Sequence, residues 1–292
     1  MTFEALATDY DGTIAHDGVV DQPTLDALAR ARGGGLRLIM VTGRELRDLF
    51  SVFPHPALFE RIVAENGAVL YEPATQKTEF IASAPPRAFI ERLRQEGVPV
   101  SIGHSIVATV EPFEHQVLAA IHDLGLEWHI IFNKGSVMAL PADVTKATGL
   151  TPALAALGIS PRRTIGVGDA ENDHVFLRAC GLAVAVANAL PSVKEIAHLV
   201  TAGARGAGVT ELIDLHRRID QFDESSSDFV APMPWEHAAE RWSELVARIA
   251  HFEQCIDQRV AELYQFSPEQ SKASAEITLN QLDLARRWLS AA

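Results

Sequence analysis

Cysteine is scarce. The 292 residues hold only Cys180 and Cys255, which allow at most one disulfide and lack the paired spacing of a structural zinc site. A disulfide-stapled secreted scaffold is therefore excluded, and a reducing compartment is expected. Positive charge is also short: 25 Lys and Arg face 38 Asp and Glu, a formal charge of −13. Nucleic acid and anionic lipid are thus not expected as partners, because neither can be held by bulk charge, and any anionic ligand must be bound locally. No apolar run reaches the length of about 18 residues that a membrane span needs. The nearest, residues 181–193, is interrupted by Asn188 and Pro191. The opening residues carry no basic stretch before the first strand-like run, so no leader is expected and a cytoplasmic location is. Among His104, His115, His122 and His129, none pairs at the three- or four-residue spacing of a helical metal site. They read as surface or substrate-facing histidines, and His104 lies in a glycine-containing loop that could face the active site. Gly33, Gly34 and Gly35 precede a strand, so they read as a helix stop and not as a phosphate loop.

What is present is a 48% hydrophobic chain, long enough for about two domains. Strand-like and helix-like runs alternate: residues 3–8, a helix opened by Gln22, Pro23 and Thr24, residues 36–41, and a helix from Arg44. The rhythm returns with a helix over 144–157, a strand over 164–167, a helix after Asn172 and a strand over 182–187. This is the α/β pattern of a doubly wound parallel sheet. Residues 83–141 break the rhythm with helix, strand, helix and two strands, a small α+β insert expected to move relative to the sheet. The expected division is a core of residues 1–82 and 142–218, the insert, and a tail of 219–292.

The tail opens with an acidic, serine-rich linker and holds thirteen acidic and six basic residues, so it carries −7 of the −13. Trp242, Leu245, Ile249, Phe252, Ile256, Val260 and Leu263 step by three or four, one apolar stripe on a helix of about 28 residues. Ser267 and Pro268 then open a second helix with Ile277, Leu282, Trp288 and Leu289. Two helices bury too little to stand alone, so this hairpin must pack on the core, on a second copy, or on a protein partner.

Chemistry-bearing residues gather at strand ends. Asp9 and Asp11 follow the first strand, and alternation turns both carboxylates the same way. Thr42 and Gly43 follow the second strand, where a hydroxyl and backbone donors reach the same sheet edge or simply cap the next helix. Asp169 and Asp173 follow a later strand, placed either for a divalent cation shared with Asp9 or as favourable acids at a helix start. Lys146 lies in the first turn of the helix after the insert.

In this order the set resembles the haloacid dehalogenase superfamily of phosphohydrolases over about residues 1–218, matching its four motifs as Asp9 with Asp11, Thr42, Lys146, and Asp169 with Asp173. The insert falls between Thr42 and Lys146, as in the Cof-like branch, which includes sugar-phosphate and archaeal phosphoglycolate phosphatases. Glu65, Asn66, Gly67 and Ala68 also look like a segment of that branch. The insert is short for it, nearer the small cap of the phosphoglycolate phosphatase type. The resemblance implies a Mg²⁺-dependent phosphatase of a small phosphorylated metabolite. Metal ligands would be Asp9, Asp11 through its carbonyl, and Asp169, with Asp173 as ligand or support. Asp9 would be the nucleophile and Asp11 the acid and base. Thr42, Gly43, Lys146 and Asn172 would hold the phosphoryl group. A cation and Lys146 answer an electrostatic need, since a carboxylate cannot approach a phosphate dianion without offsetting charge. The alternatives are a phosphotransferase or phosphomutase sharing Asp9 and Asp11, and a regulatory phosphatase-like module docking through the helical tail.

Overall fold

Apolar runs closed by acidic or glycine turns become buried strands in the computed structural model, which describes residues 3–133 and 135–220. In chain order the first elements are β1 (Ala5–Thr8), α1 (Gln22–Gly33), β2 (Arg37–Val41), α2 (Leu46–Val52), β3 (Arg61–Ala64), β4 (Val69–Glu72) and β5 (Lys77–Phe80). Then come α3 (Arg87–Gln95), β6 (Ser101–Ile102), β7 (Val107–Val110), α4 (Glu114–Asp123), β8 (Trp128–Asn133) and β9 (Ser136–Pro141). The last are α5 (Lys146–Leu157), β10 (Thr164–Gly168), α6 (His174–Ala179), β11 (Leu182–Ala185), α7 (Pro191–Ile196), β12 (Leu199–Val200) and α8 (Arg205–Asp220). The expected linker and hairpin lie outside the described residues, as does Cys255, apart from the two residues that end α8. No helix among the described residues is long and apolar enough to cross a membrane.

Eight strands form the large sheet in the order β12-β11-β10-β1-β2-β3-β4-β5. The chain builds outward from β1 in one direction through β2 and β3, then returns to its other side through β10, β11 and β12. β1 therefore marks the switch point, where parallel sheets leave a crevice beyond their strand ends. Thr8 pairs with Val167 and Met40, so the residues after β1, β2 and β10 emerge side by side. β1 is buried along its whole length, as a central parallel strand covered on both faces must be.

Two strands depart from the expected parallel pattern: β4 pairs antiparallel with β3, and β5 antiparallel with β4. Only the turn Glu65–Gly67 joins β3 to β4, too short for the crossover that a parallel pair needs. Glu65, Asn66 and Gly67 all take positive φ there, at 50°, 53° and 110°. α1 begins at the expected place, with Asp21 as its N-cap, and ends in the glycine run with Gly35 at φ 94°.

The smaller sheet has the order β6-β7-β9-β8 and is antiparallel throughout. One face packs on α3 and α4 through Phe89, Leu93, Val117 and Ile121, against Val107, Val137 and Ala139. Leu140 and Ile131 pack instead with Ala64, Ala68 and Val69, a separate apolar joint between the two sheets.

Candidate active site

α5 places one ammonium among carboxylates. Thr145 caps the helix and forms a reciprocal box with Thr148, which fixes Lys146 as its first residue. Gly67 lies so close that an added Cβ would stand 1.9 Å from the Thr145 carbonyl oxygen. The absent side chain lets the helix start sit directly against the turn after β3. Lys146 is 2% exposed, and its Nζ donates to Asp9 Oδ1 at 2.5 Å and to Asp173 Oδ1 at 2.6 Å. Burial works against the lysine charge, but Asp173 and Asp9 outweigh it and hold the pKa above the ordinary lysine value.

The carboxylates exceed the ammonium. Asp9, Asp169 and Asp173 are all buried, with oxygens within 4.8 Å of one another. Burial pushes the Asp9 carboxyl from 3.8 up to about 8, with Lys146 opposing and Asp173 and Asp169 adding to the rise. Asp173 Oδ2 accepts from the backbone N–H of Asp169 at 2.8 Å and of Ala170 at 2.9 Å. Both its oxygens are therefore engaged. Thr13 donates its hydroxyl to Asp169 Oδ1 at 3.1 Å. Oxygen-only donors of this density suit a hard divalent cation.

Asp11 stands apart from that cluster. Arg44 grips it with two bonds, Nε to Oδ2 at 2.7 Å and Nη2 to Oδ1 at 2.8 Å, while Nη1 reaches Asp48 at 2.6 Å. Thr42 is fully buried, and its hydroxyl accepts from the Arg44 N–H at 3.1 Å. Asn66 N donates to the Thr42 carbonyl, and Asn172 Nδ2 donates to Asn66 Oδ1 at 2.9 Å. Asn172 thus meets the turn after β3.

A cavity of about 570 Å³ opens over these strand ends, lined by Asp9, Asp11, Gly43 and Arg44 from the large sheet and by Ile106 and Met138 from the smaller one. The buried Glu65 carboxylate ties the two sides. It accepts backbone N–H bonds from His104 at 2.8 Å, Ser105 at 2.8 Å and Ile106 at 3.2 Å. Gly103 leaves room for it, since a Cβ there would lie 2.7 Å from the Glu65 carboxyl carbon. Of the two readings of His104 the active-site one is corrected: its ring stacks on Phe80 with centroids 3.5 Å apart and is not among the cavity's lining residues. An aromatic partner on β5 outcompetes the polar opening.

Arg44 and Glu65 were given no role by sequence reasoning. Arg44 adjoins Thr42 and Gly43, a signal that it shares their sheet edge. The signal at Glu65 is the Asn-Gly pair behind it, which marks a left-handed turn.

A family model for haloacid dehalogenase-like hydrolases matches residues 6–117 and 109–213. Phosphoglycolate phosphatase 2 of Saccharolobus solfataricus is 30% identical over 223 residues, covering 72% of this chain and 90% of that protein. A phosphoglycolate phosphatase of Methanothermobacter thermautotrophicus is 30% identical over 219 residues, covering 72% and 96%. In structure, a haloacid dehalogenase-like hydrolase from Bacteroides thetaiotaomicron superposes with a TM-score of 0.64 at 16% identity, covering 73% of this chain and 99% of its own.

Proposed function

This chain belongs to the haloacid dehalogenase-like hydrolases, in their Cof-like phosphatase branch, and from that premise we propose that it hydrolyses a small phosphomonoester, phosphoglycolate foremost, with Mg²⁺ as cofactor. The observation that carries the reading is the buried group of Lys146, Asp9, Asp169 and Asp173 at the switch point of the sheet. The names of the relatives support phosphoglycolate. A sugar phosphate is the second reading, carried by the wider branch.

Asp9 attacks phosphorus in line, the bond to the alcohol oxygen breaks, and Asp11 gives that oxygen its proton. Asp11 then takes a proton from water, which attacks the aspartyl phosphate and restores Asp9. Lys146 offsets charge beside Asp9, and Gly43 and Thr42 hold the phosphoryl oxygens. Arg44 engages both Asp11 oxygens, so its grip must loosen as Asp11 accepts a proton. Asp9, Asp169 and the Asp11 carbonyl would hold the cation. Asp173 has both oxygens engaged and serves to aim Lys146 and Asp169. When bound, Mg²⁺ would neutralise the repulsion between carboxylate and phosphate. Residues 83–141 act as a cap whose inner face selects the alcohol, and the protein works in the cytoplasm.

The test is phosphate release from phosphoglycolate, sugar phosphates and an aryl phosphate, with Mg²⁺ and with chelator. Release from phosphoglycolate that chelator abolishes supports the reading. Release unaffected by chelator contradicts the metal, and no release from any substrate contradicts the activity.

A further inference from the structure

Basic side chains on the cavity wall are few, and most are already engaged. Arg44 is held by Asp11 and Asp48, and His16 lies 3.4 Å from Asp17. Arg205 lines the same cavity, and it also lines the neighbouring one formed with Gly12, Phe132, Asp169 and Asn188. Among the described residues the Arg205 guanidinium has no ion-pair or hydrogen-bond partner. The remaining charges on the cavity wall are acidic, with Asp9, Asp11, Asp17, Glu45 and Asp48 all present. Such a wall repels any anion unless a cation is kept available for it.

The position is held tightly. Arg205 takes φ 52°, a left-handed conformation uncommon for a side chain of this size. Its backbone N–H donates to Asn188 Oδ1 at 2.7 Å, while Asn188 Nδ2 donates to the Gly12 carbonyl at 2.8 Å. One amide therefore couples Arg205 to the loop that carries Asp9 and Asp11. The next residue is closely packed, since a Cβ on Gly206 would lie 2.1 Å from Thr24 Oγ1. A strained residue, braced on both sides and left unpaired in a cavity, marks a binding role.

We infer that Arg205 is a specificity residue that receives a carboxylate carried by the substrate's alcohol portion, so that the enzyme selects phosphorylated carboxylic acids over neutral phosphomonoesters. This rests on the phosphatase reading above and deepens it. The phosphoryl group occupies the Asp9 and Lys146 end, and the second anionic group meets the planar fork of the guanidinium, a geometry matched to carboxylate. Arg205 takes no part in bond making.

The test compares kcat/KM for 2-phosphoglycolate and ethyl phosphate, which differ by a carboxylate in place of a methyl group, at saturating Mg²⁺. Wild type prefers phosphoglycolate. Arg205→Gln lowers its kcat/KM by roughly 10- to 100-fold, the scale of a lost charged hydrogen bond, and leaves ethyl phosphate unchanged. Arg205→Gly controls for folding, because glycine relaxes the left-handed backbone, and it shows the same selective loss. Loss on both substrates alike, loss on neither, or a wild type without preference overturns the Arg205 assignment while the phosphatase reading stands. A wild type that releases phosphate from no monoester overturns both.

Discussion

Lys146 donates its buried ammonium to Asp9 at 2.5 Å, and the pair lies beside two further carboxylates. One positive charge among three acids leaves the cluster short of compensation in a setting where water cannot screen it. The same deficit that makes the site costly to fold makes it ready for a cation and a phosphoryl group.

Removing the ammonium exposes that deficit. Lys146→Ala is expected to lower kcat by about 10² or more and to destabilise the protein by about 3–5 kcal/mol, the cost of breaking a buried pair. Steady-state kinetics and urea unfolding check the two effects. A change confined to KM would move Lys146 from charge stabilisation to substrate binding.

Proton and cation compete for Asp9. Its pKa stands at about 8 in the folded protein against an ordinary 3.8, so between these values the folded state binds the extra proton. Stability without metal therefore falls as pH rises across that window, and the loss is complete above about pH 8. A cation that replaces the proton should raise Tm little at pH 5 and increasingly toward pH 8. Thermal melts with and without Mg²⁺ at several pH values measure this, and a shift that shrinks as pH rises would contradict it.

Glu65 is expected to hold the cap loop in register. Glu65→Ala leaves three N–H donors without their acceptor, and the two that are buried, on Ser105 and Ile106, cost about 1–3 kcal/mol each where water cannot replace it. Hydrogen exchange of the His104, Ser105 and Ile106 amides should accelerate, and KM should rise more than kcat falls, because Ile106 lines the cavity. Unchanged exchange at these amides would show that other contacts hold the loop.

Much of the architecture was legible because its signals are local. β1, β2 and β10 are short apolar runs that end in Asp9, Thr42 and Asp169, and strand ends are where parallel sheets collect chemistry. The helix with Lys146 in its first turn was legible, begun at 144 because the Thr145 cap was not read, and nothing local linked it to Asp9, 137 positions away. The antiparallel β4 was not read, although the Asn66-Gly67 pair marks the left-handed turn before it; the same conformation at Glu65 has no such local signal. Nor was the bond from Glu65 to the smaller sheet, a contact between a side chain and backbone about 40 positions on that leaves no periodic trace. Arg44 escaped for a related reason. It sits where a helix-start arginine is commonly solvated, and only the folded sheet edge brings Asp11 within 2.8 Å of it.

Nucleophilic attack by Asp9 is tested most simply by phosphate release from Asp9→Asn at saturating Mg²⁺, with a melt to show that the fold persists. The substitution keeps volume and removes only the nucleophilic charge. The expected result is a folded protein, at least as stable as wild type without metal, that releases no phosphate. A folded Asp9→Asn protein that turns over at a substantial fraction of the wild-type rate would contradict nucleophilic attack by Asp9.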